Sequence, residues 1–151
     1  MNYKKTMKLL RTYELITQEE MAKILNIKRS TYKEYELQNS IIPLFHLNNF
    51  CNYFNVSVDY LLGLTNKKNY NNSQKEINKE ISGQRLQALR KECKLTQQEL
   101  ANFIKIDKST ISKYENGINL IATPFLYDIC KKYNVSADYL LGKIDEPKYL
   151  K

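Results

Sequence analysis

Apolar residues fall three and four positions apart along most of this chain. Met21, Ala22 and Leu25 form one such set, and Leu100, Ala101 and Ile104 another. That spacing lines up one buried face of a helix. Each set follows a Thr with a Glu three residues on, "TQEE" at 17–20 and "TQQE" at 96–99. Both read as capping boxes, in which the Thr hydroxyl accepts an orphan N–H and the Glu reaches back. A tight turn follows at Asn26 or Lys105, then an Ile (Ile27, Ile106) expected to be buried. A second helix comes next. In the C-terminal half it is predicted over 108–115, with Asp107 as N-cap and Gly117 as a left-handed stop. In the N-terminal half Lys28 and Gln38 occupy those places, which predicts a less crisp start and a weaker stop.

Downstream, "TPFLYDICKKY" predicts a helix with Thr123 as N-cap and Pro124 at the first helical position. "IPLFHLNNFCNYF" predicts its counterpart around Pro43, two positions earlier in register. Ser57 and Ser136 are expected to cap a last short helix in each half. Those helices would bury Val56, Leu61 and Leu62, or Val135, Leu140 and Leu141, and end at Gly63 and Gly142. With helices over about 3–13 and 84–93, each half holds five, and no stretch carries a strand signal.

The two halves are one pattern written twice. "NVSVDYLLG" at 55–63 returns as "NVSADYLLG" at 134–142, and a shift of 79 aligns 17–63 with 96–142 without a gap, 20 of 47 positions being identical. So long a period indicates tandem domains; solenoid repeats are shorter. The expected architecture is all-α: two five-helix domains at 1–64 and 83–145, a polar linker at 65–82 and a tail at 146–151. "SQKE" at 73–76 is a further capping-box match, so part of the linker is expected to be helical.

The order "TQQELANFIKIDKSTISKYENG", with its "NVSxDYLLG" closing helix, resembles the phage-repressor and Cro type of helix-turn-helix DNA-binding domain (the xenobiotic-response-element family). The resemblance covers both units and is weaker in the first, where "YELQ" replaces "YENG". It implies a helix that enters the major groove of double-stranded DNA. The residues so placed are Lys108, Ser109, Thr110, Ser112 and Lys113 in the second unit. In the first they are Lys28, Arg29, Ser30, Thr31, Lys33 and Glu34. Lys and Arg suit the acceptors of guanine, and Glu34 suits a cytosine amine. The resemblance also implies that Gln18 and Gln97 contact phosphate and brace the reading helix, and that Asn116 touches the DNA backbone. Leu37 replaces Asn116 in the first unit, where that contact is expected to be missing. Members of this family usually carry Gly in the inter-helix turn; Lys105 there costs ~1 kcal/mol if the turn is left-handed.

Charge adds to this picture. Net charge is +8 with a pI near 9.3, which suits a polyanionic partner. Residues 1–64 carry 8 basic against 6 acidic residues, residues 83–151 carry 12 against 8, and the linker 4 against 2. Cys51, Cys93 and Cys130 are scattered, without metal-ligand spacing. Cys51 and Cys130 are read as small buried thiols, Cys93 as an exposed, oxidisable thiol or an inert one. Tyr35, Tyr60, Tyr114 and Tyr139 repeat between units and are read as half-buried fold residues. Tyr32 serves either the core or a groove contact, and His46, the one histidine, serves packing or the surface. Without clustered carboxylates, a second His or a Gly-rich loop the chain offers no acid–base or metal chemistry, so neither an enzyme nor a cofactor is expected.

No apolar run approaches a membrane span, and a cytoplasmic protein is expected. The function expected is a sequence-specific transcriptional regulator, a repressor, with two reading heads on one chain. A homodimer would carry four. The alternative is an interaction protein of a phage or mobile element, inhibitor- or antitoxin-like. It would bind a protein partner through the first unit and autoregulate through the second.

Overall fold

A computed structural model describes residues 1–37 and 39–150. The expectation for Gln38, and Lys151 at the end of the tail, lie outside the described residues. The chain divides into two compact units, Met1–Asn69 and Tyr70–Lys151. The first holds α1 (Tyr3–Tyr13), α2 (Gln18–Ile24), α3 (Arg29–Leu37), α4 (Leu44–Phe54) and α5 (Val58–Leu61). The second holds α6 (Lys79–Glu92), α7 (Gln97–Ile104), α8 (Lys108–Glu115), α9 (Thr123–Tyr133) and α10 (Ala137–Leu140). Among the described residues there is no strand; Val135 and Tyr149 form an isolated antiparallel bridge. Among the described residues no helix is long and apolar enough to cross a membrane.

The caps explain where most helices begin. Both capping boxes close: the Thr17 and Thr96 hydroxyls accept the Glu20 and Glu99 N–H groups, and the Thr17 and Thr96 N–H groups donate to those carboxylates. Ser57 and Ser136 accept from the Tyr60 and Tyr139 N–H groups. Gly63, Gly117 and Gly142 all take positive φ. At the end of α8 the Gly117 N–H reaches the Tyr114 carbonyl and the Ile118 N–H the Lys113 carbonyl, the paired bonds of a Schellman stop. The Asn39 N–H makes the same long bond to the Glu34 carbonyl in the first unit.

Some details differ from the sequence expectation. Thr123 is the first helical residue of α9, not its cap; Ala122 holds the cap position and makes no side-chain bond. The Thr123 side chain is buried instead. Helices α4 and α9 keep the 79-residue register, so only the prolines are displaced: Pro43 sits at a cap position and Pro124 inside the first turn. "SQKE" opens no helix. Helix α6 starts at Lys79, where the Asn78 side chain accepts the Ile81 N–H at 3.0 Å. Ile27 and Ile106 are half-buried rather than buried.

Each unit has its own core. Met7, Met21, Tyr32, Leu47, Phe50, Cys51, Val58 and Leu61 are fully buried in the first. Ala101, Ile111, Ile129, Cys130, Val135 and Leu141 are fully buried in the second. Burial of one large aliphatic side chain contributes about 1.5–3 kcal/mol, so each core holds its five short helices together. Cys93 is half-buried. Tyr35 and Tyr114 are buried, Tyr60 and Tyr139 half-buried.

Candidate nucleic-acid interface

In each unit a short supporting helix, a left-handed turn and a second helix follow one another. The turn residue Asn26 has φ 56° and Lys105 φ 60°. Ile27 and Ile106 then donate back to the Ala22 and Ala101 carbonyls at 2.9 and 3.0 Å, which fixes the angle at which the chain enters α3 or α8. Asp107 is extended and stands at the cap position of α8, but its side chain makes no capping bond; its carbonyl accepts the Thr110 N–H at 3.0 Å. Lys28 offers its carbonyl to the Tyr32 N–H in the same way. The expected contrast between a crisp and a ragged start is therefore absent, because the Asp107 side-chain bond it relied on is not made.

The inward face of each second helix is locked by a charge pair whose Glu lies inside the aligned repeat and whose Arg lies upstream of it. Arg90 donates from Nε to Glu115 Oε2 at 2.8 Å and from Nη2 to Oε1 at 2.9 Å, while its Nη1 holds the Leu95 carbonyl at 2.8 Å. Arg11 repeats this 79 positions earlier, reaching Glu36 at 2.6 and 3.0 Å and the Ile16 carbonyl at 2.8 Å. The Glu36 and Glu115 side chains are 3% and 1% exposed. Sliding the shift upstream of Thr17 would have found the pair, since Leu10 and Arg11 recur as Leu89 and Arg90.

Gln18 and Gln97 complete the clamp. Gln18 Nε2 donates to Glu36 at 2.9 Å and Gln97 Nε2 to Glu115 at 3.4 Å, so both brace the second helix from the first turn of the supporting one. In the first unit the Tyr32 hydroxyl also donates to Glu36, at 2.7 Å. Tyr32 thus belongs to the core and the clamp, and not to the outer face. Burial works against the Glu36 carboxylate, but hydrogen bonds from Arg11, Gln18 and Tyr32 outweigh it and hold its pKa below the ordinary range. Those bonds raise Arg11, and the Glu115 carboxylate raises Arg90. Burial first, and the Glu36 bond second, push the Tyr32 phenol up strongly. His46 accepts no such role; it meets the Tyr35 hydroxyl at 3.0 Å.

The outward face carries the remaining residues singled out from the sequence. Lys108, Ser109, Lys113 and Asn116 are exposed, and Thr110 and Ser112 half-buried along the same helix. In the first unit Lys28, Arg29, Ser30 and Lys33 are exposed, and Thr31 and Glu34 half-buried. The Asn116 amide donates to the Ser112 hydroxyl at 3.3 Å. Among the described residues Arg29, Lys33, Lys108 and Lys113 enter no ion pair. Each second helix thus presents a polar, cationic edge whose back is clamped to the core. The first unit differs in its apolar exterior. Leu37, Ile41 and Phe45 are 50–61% exposed, where the second has Asn116, Leu120 and Pro124.

Comparison with known proteins agrees with this geometry. Residues 7–61 match a family described as "Helix-turn-helix" and residues 83–146 one described as "Helix-turn-helix domain". Antitoxin PezA of Streptococcus pneumoniae serotype 4 is 38% identical over 61 residues, 40% of this chain and 39% of PezA. The HTH-type transcriptional regulator YobD of Bacillus subtilis is 42% identical over 64 residues, 42% of this chain and 57% of YobD. ImmR of B. subtilis, another HTH-type transcriptional regulator, is 38% identical over 66 residues, 44% of this chain and 52% of ImmR. The matches span between about two fifths and three fifths of these relatives, each the length of a single unit here. With both halves of the chain matched and both clamped turns in place, the chain belongs to the helix-turn-helix family, as a tandem pair of domains of the Cro/C1 repressor type.

Proposed function

We propose that this chain is a sequence-specific double-stranded DNA-binding regulator that represses transcription by occupying an operator. The observation that carries this reading is the cationic edge of α8, exposed on a helix whose opposite face is fixed by Arg90, Gln97 and Glu115. A helix of this size fits the ~12 Å major groove. Lys108 and Ser109 then face base edges from the first turn, Ser112 and Lys113 from the next, and Asn116 meets the phosphate backbone. Arg29, Ser30, Lys33 and Glu34 do the same in the first unit, with Lys28 and Thr31 at the entry. Gln18 and Gln97 serve twice: each gives one amide N–H to the clamp and keeps the second N–H for a phosphate oxygen. The likeness to two HTH-type transcriptional regulators supports this reading.

Selection of bound duplexes from a random pool tests it. Specific sites should be recovered, and log affinity should fall linearly with log salt by about 0.9 for each phosphate neutralised. Recovery of no enriched sequence would reject the proposal.

A second reading has its own support. The apolar exterior of the first unit at Leu37, Ile41 and Phe45 and the likeness to antitoxin PezA favour a protein partner for that unit, with the second left to bind DNA. It requires a stoichiometric complex that survives salt concentrations at which duplex binding is lost.

A further inference from the structure

The chain joining the two units is much shorter than the polar stretch at 65–82. Residues up to Asn69 are fastened to the first unit. The Ser57 N–H donates to the Lys68 carbonyl, the Ser57 hydroxyl to the Lys67 carbonyl at 3.3 Å, and the Asn69 amide to the Asn55 carbonyl at 3.4 Å. The second unit closes on its tail by the same device: Ser136 N–H donates to the Lys148 carbonyl at 2.8 Å and the Asn134 amide to the Leu150 carbonyl at 3.1 Å. Residues 65–69 are therefore the first unit's tail. From Gln74 onward the chain is fastened to the second unit, Gln74 N–H donating to the Lys143 carbonyl at 2.6 Å and Asn78 N–H to the Leu141 carbonyl at 3.0 Å. Residues 70–73 lie between these two sets of fastenings.

Length then limits reach. From Asn69 to Gln74 the backbone extends ~18 Å at most. A compact unit of this size has a radius of about 14 Å, so the centres of the units separate by no more than about 45 Å. Neighbouring half-sites on one face of a duplex lie ~34–36 Å apart for one helical turn, and roughly twice that for two. An 18-residue flexible connector would have spanned both spacings, since it extends up to ~60 Å.

We infer that the chain reads a composite DNA site of two unlike subsites centred about one helical turn apart, and that the 70–73 connector forbids a two-turn spacing. The subsites are unlike because the outward residues differ: Lys33 and Glu34 stand where the second unit has Ser112 and Lys113. This rests on the DNA-reading role proposed above.

The test uses the full chain and the duplexes it selects. Duplexes carrying both subsites are built with centres ~10 and ~21 bp apart, alongside duplexes with each subsite alone. At ~10 bp, affinity should exceed that of the better single subsite by at least ~100-fold; at ~21 bp the gain should vanish. Inserting about 20 Gly/Ser residues between Asn72 and Ser73, with a reach of ~25 Å, should restore the gain at ~21 bp. An equal gain at both spacings in the unaltered chain would overturn the inference and leave the DNA-reading role intact. So would selected sites holding a single motif, or an insertion without effect. Recovery of no specific duplex would overturn both.

Discussion

Arg90 grips Glu115 with two parallel bonds of 2.8 and 2.9 Å across 25 residues of sequence, and so ties the end of α8 to α6, the first helix of its domain. The carboxylate is almost completely buried and also receives Gln97. Deleting one member leaves a buried charge without its partner, which typically costs 3–5 kcal/mol, whereas apolar replacement of both is often neutral. Arg90→Met should therefore lower the unfolding free energy of the second unit by about 3 kcal/mol, and Arg90→Met with Glu115→Leu should regain most of it. Urea denaturation of the three proteins measures both numbers. Equal losses in the single and double variants would contradict this description of the clamp.

Acid should attack the first unit through Glu36. Its folded pKa lies below the ordinary carboxylate value, so the folded state binds fewer protons than the unfolded one in that range. The stabilisation is complete above the unfolded pKa of about 4.3 and fades as pH falls through the lower folded value. Denaturation midpoints from pH 7 to 3 should drop steeply below about 4.3, and Glu36→Gln should flatten that drop while lowering stability at pH 7. An unchanged slope in the variant would assign the acid sensitivity elsewhere.

The inter-helix turn of the second unit carries backbone strain. Lys105 sits at φ 60°, a conformation that Asn26 adopts at the same point of the first unit. A left-handed residue with an ordinary side chain costs roughly 1–2 kcal/mol, and Asn less. Lys105→Asn should raise stability by about 0.5–1 kcal/mol, and Asn26→Lys should lower it by a similar amount, both read by chemical denaturation. A destabilised Lys105→Asn protein would show that the lysine earns its place by a contact instead.

Gly83 reverses the usual rule for helix glycines. Ala in an exposed helix interior is better than Gly by ~1 kcal/mol, but a Cβ on Gly83 would lie 2.4 Å from the Tyr114 carbonyl oxygen and 2.6 Å from that of Glu115. Those are backbone atoms at the end of α8, and they cannot rotate aside. Gly83→Ala should destabilise the second unit by about 1–3 kcal/mol and weaken DNA binding along with it. A thermal melt showing stabilisation would mean that α6 approaches α8 less closely.

Much of the fold was legible in the sequence because its signals are local. The Thr-to-Glu boxes at 17–20 and 96–99, the serines at 57 and 136 and the glycines at 63, 117 and 142 each satisfy backbone groups a few residues away. Helices α1 and α8 accordingly run over the predicted residues. The misses come where the deciding partner is distant. "SQKE" has the letters of a cap, but Gln74 and Asn78 bond to the far end of the second unit. Thr123 has the residue type of a cap, yet it is buried inside the first turn of α9. Likewise Arg11 and Arg90 look like surface cations at a helix end until Glu36 and Glu115 are folded against them. The outward residues of α3 and α8 came from the resemblance to the phage-repressor and Cro type; in the structure Tyr32 and Tyr35, or Ile111 and Tyr114, face the core and leave those residues on one polar edge.

The most direct measurement is the affinity of Lys108→Ala/Lys113→Ala for the duplex selected by the unaltered chain, followed by gel shift at fixed salt. Both lysines are exposed and outside every ion pair of the described residues, so the urea midpoint should not move. Specific binding should fall by at least ~30-fold, as expected when two base contacts worth about 1–3 kcal/mol each are removed. Unchanged affinity in the folded double variant would contradict the assignment of α8 as the helix that reads DNA.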